Sequence, residues 1–465
     1  MRDLRRDLIP QEVLAVCQRL EQAGHEAFIV GGSIRDLLVG RPPGDFDVAT
    51  SAHPEETLRI FGSRFAIPTG LRHGTVTVLA GESEPRRHVE VTTFRGEGVY
   101  LDGRRPSSVT FSATLEEDLS RRDFTMNAIA YEPAVGRLID PHGGQGDIAR
   151  KSVRTVGDPV LRFTEDGLRP MRGVRQAAQL GFALESGTEA AIPRCLESFR
   201  KVSAERIRDE LRKLLLSPVP SRGIEAMRRT SLLAEVLPEL LPTVGCMQNR
   251  FHKHDVYQHT LATVDAASPD FVVRMAALLH DLGKPGTQAP REDAPGEFSF
   301  FRHEQVGAEL AQRICARLKL PADERETICA LVSGHMFYYT PDWTDGTVRR
   351  FVNRVGPALV PLLFALREAD IASRGQGEDR EKETRALRAR IAQVAAEDAA
   401  LRVTDLAVDG EDVMRILAIP PGRRVGQILD ELLERVLDDP ALNERGTLER
   451  LLRELASEAG GGDES

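Results

Sequence analysis

The sequence predicts an α+β protein in which a strand-bearing N-terminal domain is followed by domains built almost wholly of helix. Three observations carry this. Short β-branched runs are confined to residues 1 to about 150, and from about 155 the apolar residues recur at helical spacing. Aromatic residues make up only 5%, so the interior must rest on Leu, Ala and Val. At 465 residues the chain is too long for one compact core and divides into two to four domains.

Taken in order, "EAFIV", "DFDVAT", "GTVTVLA" and "HVEVTTF" read as strands of a first domain over 1–150. A helical domain follows over 151–245, exemplified by "AERIRDELRKLLLS", and "LLPTVGCMQN" marks its end. The third domain, 246–375, contains the apolar helix "VVRMAALLHDLG" and the polar loop "PGTQAPREDAPGE". The fourth, 376–465, opens on a charged exposed helix over 376–400. It then places Val425, Ile428, Leu429, Leu432, Leu433 and Val436 on one helix face, and "GGGDES" is expected to be disordered. No apolar run reaches the roughly eighteen residues a membrane helix needs, and "MRDLRRDLIP" lacks a signal peptide's apolar core, which predicts a cytoplasmic protein. Five cysteines without CxxC pairing fit a reducing compartment. With a net charge of −9, a nucleic-acid partner would need a local basic stripe.

The stretch "FIVGGSIRDLLVGRPPGDFDVAT" carries the first chemistry. A strand running into Gly31-Gly32 and then a helix presents free backbone N–H groups, where phosphates bind. Asp45 and Asp47, two apart on the next strand, point to one face. Paired carboxylates repel, and a Mg²⁺ ion bridging substrate phosphates offsets that cost. Glu90, on a neighbouring strand, is either a third carboxylate of this site or an exposed strand residue. "LSRRDFTMNAIAYEP" adds Arg121, Arg122, Asp123 and Asn127; Arg122 suits a triphosphate through bidentate contacts, and Asp123 and Asn127 suit sugar hydroxyls or phosphates. In "FTEDGLRPMRGVRQAAQLGF", Asp166, Arg169, Arg172 and Arg175 recur every three residues and would share a helix face. In the second half, His280-Asp281 ends an apolar helix, where burial without a metal partner would be costly.

GGSIRD, DFDVAT, RRDFTMNA, TEDGLR and SAERIRDELRKLL occur in the order found in class II tRNA nucleotidyltransferases, the CCA-adding enzymes and bacterial poly(A) polymerases, and the chain resembles that family. The resemblance implies a polymerase-β-like nucleotidyltransferase head with a mixed sheet, then an all-helical neck, an HD domain and a helical tail. It implies Mg²⁺ on Asp45 and Asp47, which are also the catalytic pair, and nucleotide contacts from Gly32, Arg35, Arg122, Asp166, Arg169, Arg172 and Arg175. The second half resembles HD-superfamily domains, whose ligands fall on His259, His280, Asp281 and Asp370 for a divalent metal of unspecified identity; His303 and His335 would complete a second metal position. His254-Asp255 lies in the entry segment and reads as a decoy. The implied partners are the 3′ acceptor end of tRNA, CTP and ATP, with no membrane.

Base edges give the physical reason for a protein template. Cytosine and adenine both set an exocyclic amine beside a ring-nitrogen acceptor, so the Asp166 carboxylate can accept from one and the Arg169 guanidinium can donate to the other. Uracil and guanine reverse that polarity, and each buried mismatch costs roughly 1–3 kcal/mol. The chain departs from the family pattern at this place: Gly167 stands where proline is usual, Pro170 where an apolar residue is usual, and Gln176 where an aromatic is common. Pro170 cannot donate to the Asp166 carbonyl, so the helix must start late or kink there. The segment "TFRGEGVYLDGRRPSSVTF" resembles the flexible loop the family needs to add the terminal A. CCA addition is the reading the motifs favour; A-only addition, poly(A) synthesis and, from another class, an HD-domain RNA phosphohydrolase remain open.

Overall fold

The computed structural model describes residues 4–81, 85–96, 111, 114–248, 254–294, 297–374, 378–395 and 402–460. Most of the segment likened to the flexible loop, residues 97–110, and the terminal residues 461–465 lie outside these. The described chain separates into two units, residues 1–241 with 317–319, and residues 242–316 with 320–465.

The first unit is organised by a seven-stranded mixed sheet of order β3-β4-β5-β2-β1-β6-β7. Its strands are β1 (Ala27–Val30), β2 (Phe46–Thr50), β3 (Ala66–Gly70), β4 (Thr75–Ala80), β5 (Arg87–Thr93), β6 (Ala130–Glu132) and β7 (Arg137–Ile139). Only the β2–β5 pair is parallel. Every residue of β1 is buried because both faces are covered, which is why "AFIV" reads as a continuous apolar run rather than an alternation. Ala27 and Ile29 join one core with Val48, Val76, Val78, Val89 and Val91, while Phe28 and Val30 join the opposite core with Phe94, Leu115, Leu119 and Val156. Register then fixes the site. Val30 opposes Asp47, and Asp47 opposes Glu90, so both carboxylates sit on the Val30 face.

Beyond the sheet the first unit is helical apart from a two-stranded parallel pair, Ser152–Val153 with Ala183–Leu184. Asp158 caps the Pro159–Glu165 helix by accepting from Leu161 N–H, with Pro159 at the first helical position. Asp166 is extended (φ −137°, ψ 106°), and a second helix runs Arg169–Leu180. The helix therefore starts late and is not kinked. Pro170 lies in its first turn, where a missing N–H is harmless, and the Asp166 carbonyl accepts instead from Arg169 N–H at 3.0 Å. This corrects the single helical face expected for the four-residue stripe, because Asp166 stands in the break before the helix that bears Arg169, Arg172 and Arg175.

In the second unit, helices Val256–Ala266, Phe271–Leu279, Ala322–Gly334 and Val360–Arg374 pack together. Asp255 is the cap of the first of them, accepting from Gln258 N–H, which accounts for the His254-Asp255 dipeptide. The polar loop contains a short hairpin, Gln288–Pro290 with Phe298–Phe300. The charged segment forms helix Glu378–Ala395, and Val425, Leu429, Leu432, Leu433 and Val436 of helix Arg423–Asp438 are buried in a C-terminal cluster. Among the described residues no helix is long and apolar enough to cross a membrane.

Candidate nucleotide site and candidate metal centre

Gly31, at φ +80°, ends β1 and opens helix Gly32–Val39. A Cβ there would stand 3.1 Å from an Arg122 guanidinium nitrogen and 3.4 Å from Asp47 Oδ2, so the missing side chain lets the turn approach both charges. Burial pushes the Asp47 carboxyl up to about 6; Arg122 opposes this, and the negative charges of Glu90 and Asp45 add to it. Asp45 is exposed, one residue before β2. A buried carboxylate that resists ionisation is steadied by a cation, and of the carboxylates here Asp47 and Glu90 face the same side of the sheet.

Asp47 and Glu90 open on a cavity of about 420 Å³. It is lined by Gly32, Arg35, Asp47, Glu90, Arg122, Asp123, Asn127, Asp166, Arg169, Arg172, Arg175 and Gln176 among others. All seven residues expected to contact nucleotide line it; of the metal pair, Asp47 does and Asp45 is not among the lining residues.

Several charged side chains around the cavity are oriented by partners, some a helical turn away and some distant in sequence. Buried Asp118 takes Arg121 at 2.9 Å and Arg122 at 3.0 Å. Burial works against its ionised form, yet Arg122 and Arg121 hold it below the usual carboxylate range. Asp123 pairs with Arg172 at 2.7 Å and accepts from Asn127 Nδ2 at 3.0 Å. Arg206 and Glu210, one turn apart on helix Ala204–Leu215, reach Asp166 at 3.0 Å and Arg175 at 2.5 Å. Arg169 is held by Glu165 and by the carbonyls of Arg162 and Arg121. The motif "SAERIRDELRKLL" contains Arg206 and Glu210 but does not say what they touch. Gly167 is fixed by packing, since a Cβ would lie 2.2 Å from the Ser198 carbonyl oxygen.

The second unit gathers four histidines and two aspartates, all buried. His259 comes from the first of its packed helices, His280 and Asp281 follow the second, His303 opens helix His303–Arg317, His335 follows Ala322–Gly334, and Asp370 lies on Val360–Arg374. His259, His280 and Asp370 form one group, with Asp281, His303 and His335 the other, and the ligand atoms of each lie within 4.8 Å of one another. Asp281 faces both groups: its Oδ2 is 3.2 Å from His280 Nε2 and its Oδ1 is 3.4 Å from His303 Nε2.

The imidazole tautomers fit a metal. Nδ1 of His280, His303 and His335 meets the carbonyls of Ala277, Phe300 and Val332 at 2.8, 2.8 and 2.6 Å. A carbonyl only accepts, so each Nδ1 carries the proton and each Nε2 keeps its lone pair for the centre. His259 Nδ1 meets Ser373 Oγ, whose own proton goes to the Asp370 carbonyl. Burial lowers the pKa of His259, His303 and His335, the last to about 3, which keeps these rings neutral as ligands must be. His280 is also buried, but Asp281 and Asp370 draw its pKa upward. Its Nε2 makes no hydrogen bond of acceptable geometry among the described residues.

A mixed sheet carrying paired carboxylates beside a cation-lined cavity, followed by this histidine–aspartate centre, defines a nucleotidyltransferase joined to an HD domain. Family comparison agrees segment by segment. Residues 27–154 match the poly A polymerase head domain, 181–243 a probable RNA and SrmB-binding site of polymerase A, and 256–395 the HD domain. The CCA-adding enzyme of Anoxybacillus flavithermus is 49% identical over 230 residues, 50% of this chain and 56% of that enzyme. That of Streptococcus gordonii is 34% identical over 457 residues, 96% of this chain and 97% of that enzyme. The crystal structure of the Bacillus stearothermophilus CCA-adding enzyme in complex with CTP aligns with a TM-score of 0.71 at 31% identity, covering 97% of this chain and 98% of that one. The chain belongs to the CCA-adding enzyme family.

Proposed function

We propose that the protein extends the 3′ end of tRNA with C, C and A, using CTP and ATP and releasing pyrophosphate, without a nucleic-acid template. The observation that carries this is one cavity lined both by Asp47, beside the glycine-led turn, and by Asp166 and Arg169. A site that only bound RNA would not need a buried carboxylate beside its cations. In this reading Asp45 and Asp47 hold Mg²⁺, which when bound lowers the pKa of the RNA 3′-hydroxyl and neutralises the leaving pyrophosphate. Gly32, Arg35 and Arg122 hold the triphosphate. The Asp166 carboxylate, steadied by Arg206 and Leu168 N–H, accepts from the exocyclic amine of C or A, and Arg169 donates to the ring nitrogen. Arg172 and Arg175 complete the nucleotide contacts. The domain limits 1–150, 151–245, 246–375 and 376–465 are proposed as head, neck, HD domain and RNA-binding tail, in the cytoplasm.

A second activity, metal-dependent phosphoester hydrolysis in the HD domain, is favoured by the intact ligand set on His259, His280, Asp281 and Asp370 with His303 and His335. A cavity of about 300 Å³ lined by Asp281, His303, Lys284, Arg291, Arg374 and Arg380 gives an anionic substrate access to it.

Three tRNA transcripts ending at the discriminator base, at C and at CC test the main reading. Labelled CTP is expected on the first two and labelled ATP on the third. ATP use on CC with no CTP use would make the protein an A-adding enzyme, and long ATP ladders on unrelated RNA a poly(A) polymerase.

A further inference from the structure

Gln176 is 2% exposed, yet it lines the nucleotide cavity, and its amide belongs to a network whose proton positions are determined by its ends. Arg35 at one end can only donate, and ionised Asp123 at the other can only accept. Arg35 Nη1 meets Asn127 Oδ1 at 2.9 Å and Gln176 Oε1 at 3.4 Å, so both contacted atoms must be oxygens. Asn127 Nδ2 then spends its two protons on Asp123 Oδ1 and Gln176 Oε1, each at 3.0 Å. Burial works against the ionised form of Asp123, but Arg172 and the Asn127 amide hold its carboxyl below the usual range, which keeps that end of the chain an acceptor. Neither amide can be flipped without facing donor to donor or acceptor to acceptor.

The consequence falls on the remaining atom. Gln176 Oε1 is occupied by two donors, while Nε2, with two N–H groups, makes no hydrogen bond among the described residues. Nε2 is not one of the enclosed polar atoms, so its two N–H groups open on the cavity, held there as fixed donors by the bonds at Oε1. We propose that Gln176 Nε2 donates to an oxygen of the sugar–triphosphate part of the incoming nucleotide. This rests on reading the cavity as the nucleotide site. Position along the helix favours the sugar–triphosphate over the base: Gln176 is seven residues beyond Arg169, about 10 Å along the axis, and it lies beside Arg35 of the glycine-led helix. The contact is therefore the same for CTP and ATP and plays no part in choosing between them.

Two variants separate this from a packing role. Gln176→Glu keeps an oxygen for Arg35 and Asn127 but removes both donors and turns a carboxylate toward the triphosphate. Gln176→Met keeps the volume and loses the polar atoms. Steady-state addition of CTP to a discriminator-ended transcript, and of ATP to a CC-ended one, is measured with the thermal midpoint of each variant. For Gln176→Glu the KM for both nucleotides is expected to rise more than tenfold with an unchanged midpoint. For Gln176→Met it rises about three- to tenfold, the range of one neutral hydrogen bond, and by the same factor for each. With 2′-deoxy-CTP the Gln176→Met effect disappears if the acceptor is the ribose 2′-hydroxyl and persists if it is a phosphate oxygen; both outcomes support the contact. A KM for Gln176→Glu equal to wild type overturns the proposal, as does a change confined to one base. If wild type adds no nucleotide to either transcript, the reading of the cavity itself has failed, and that control tells the two failures apart.

Discussion

Gly167→Ala tests how the proposed base-reading carboxylate is held. The added Cβ would stand 2.2 Å from the Ser198 carbonyl oxygen and 2.9 Å from Phe199 N, against an ordinary contact that begins near 3.4 Å. Both obstacles are backbone, and the Ser198–Phe199 segment is anchored by buried Phe199, so the Gly167 side must retreat by about 1 Å. Overpacking of this kind costs roughly 1–3 kcal/mol. Asp166 is the next residue and moves with it, turning away from Arg206, its partner at 3.0 Å. A displacement of that size at a positioned group costs on the order of a hundredfold in rate. The assay is kcat/KM for CTP, ATP and UTP on matched transcripts, with a urea unfolding curve for each protein. The urea midpoint is expected to fall, kcat/KM for CTP and ATP to drop ten- to a hundredfold, and UTP to drop less, so that discrimination narrows. Unfolding and CTP-to-UTP ratios equal to wild type would refute the reasoning, because the Ser198 wall would then not be positioning Asp166.

Three other outcomes follow from the same geometry. The Asp47 carboxyl titrates at about 6 in the folded protein against 3.8 ordinarily, so its contribution to stability is full below pH about 4 and lost as pH rises through 6. In metal-free protein Asp47→Asn should therefore be more stable than wild type at pH 8, by at most about 3 kcal/mol (roughly two units at 1.36 kcal/mol each), with the gap closing towards pH 4; urea unfolding in a chelator measures it, and a less stable variant at pH 8 would count against burial of an ionised Asp47. Pro170→Leu should leave the CTP-to-ATP ratio of kcat/KM unchanged, because Pro170 occupies the first turn of its helix and makes no kink. Adding Mn²⁺ or Co²⁺ to chelator-treated protein should raise the melting point of the second unit by several degrees, and His280→Ala with Asp281→Ala should abolish that rise.

Much of the head was legible because its signals are local. The run "AFIV" and the turn after it announce a strand feeding a helix start, whereas the spacing of two that put Asp45 on the strand with Asp47 did not show that the strand begins at Phe46. The short strands β6 and β7, three residues each, carry too little periodicity to be read. The stripe from Asp166 to Arg175 misled, since a three-residue spacing cannot show that the chain breaks between Glu165 and Arg169. Proline left a late start and a kink open, and only the structure chose the first; Gly167 gave no hint that it lies against Ser198. Arg206 and Glu210 lie in a motif the sequence displays, yet their partners sit 40 and 35 residues away, and only packing joins them. In the HD region the order of His259, His280, Asp281 and Asp370 was readable, while Asp281 facing both histidine groups needed coordinates. Gln176 reads in sequence as a departure from a commonly aromatic position; its role depends on the Arg35–Asn127 network.

The central claim is that nucleotide addition is carried by the head and is independent of the histidine–aspartate centre. Single-turnover addition of labelled CTP to a discriminator-ended tRNA tests it most directly, comparing wild type with an Asp45→Ala, Asp47→Ala protein and a His280→Ala, Asp281→Ala protein. The account predicts no measurable addition by the head variant and a rate within about twofold of wild type for the HD variant, because the two sets of ligands lie in separate units of the chain. Addition by the head variant at near wild-type rate, or its loss in a folded HD variant, would contradict it.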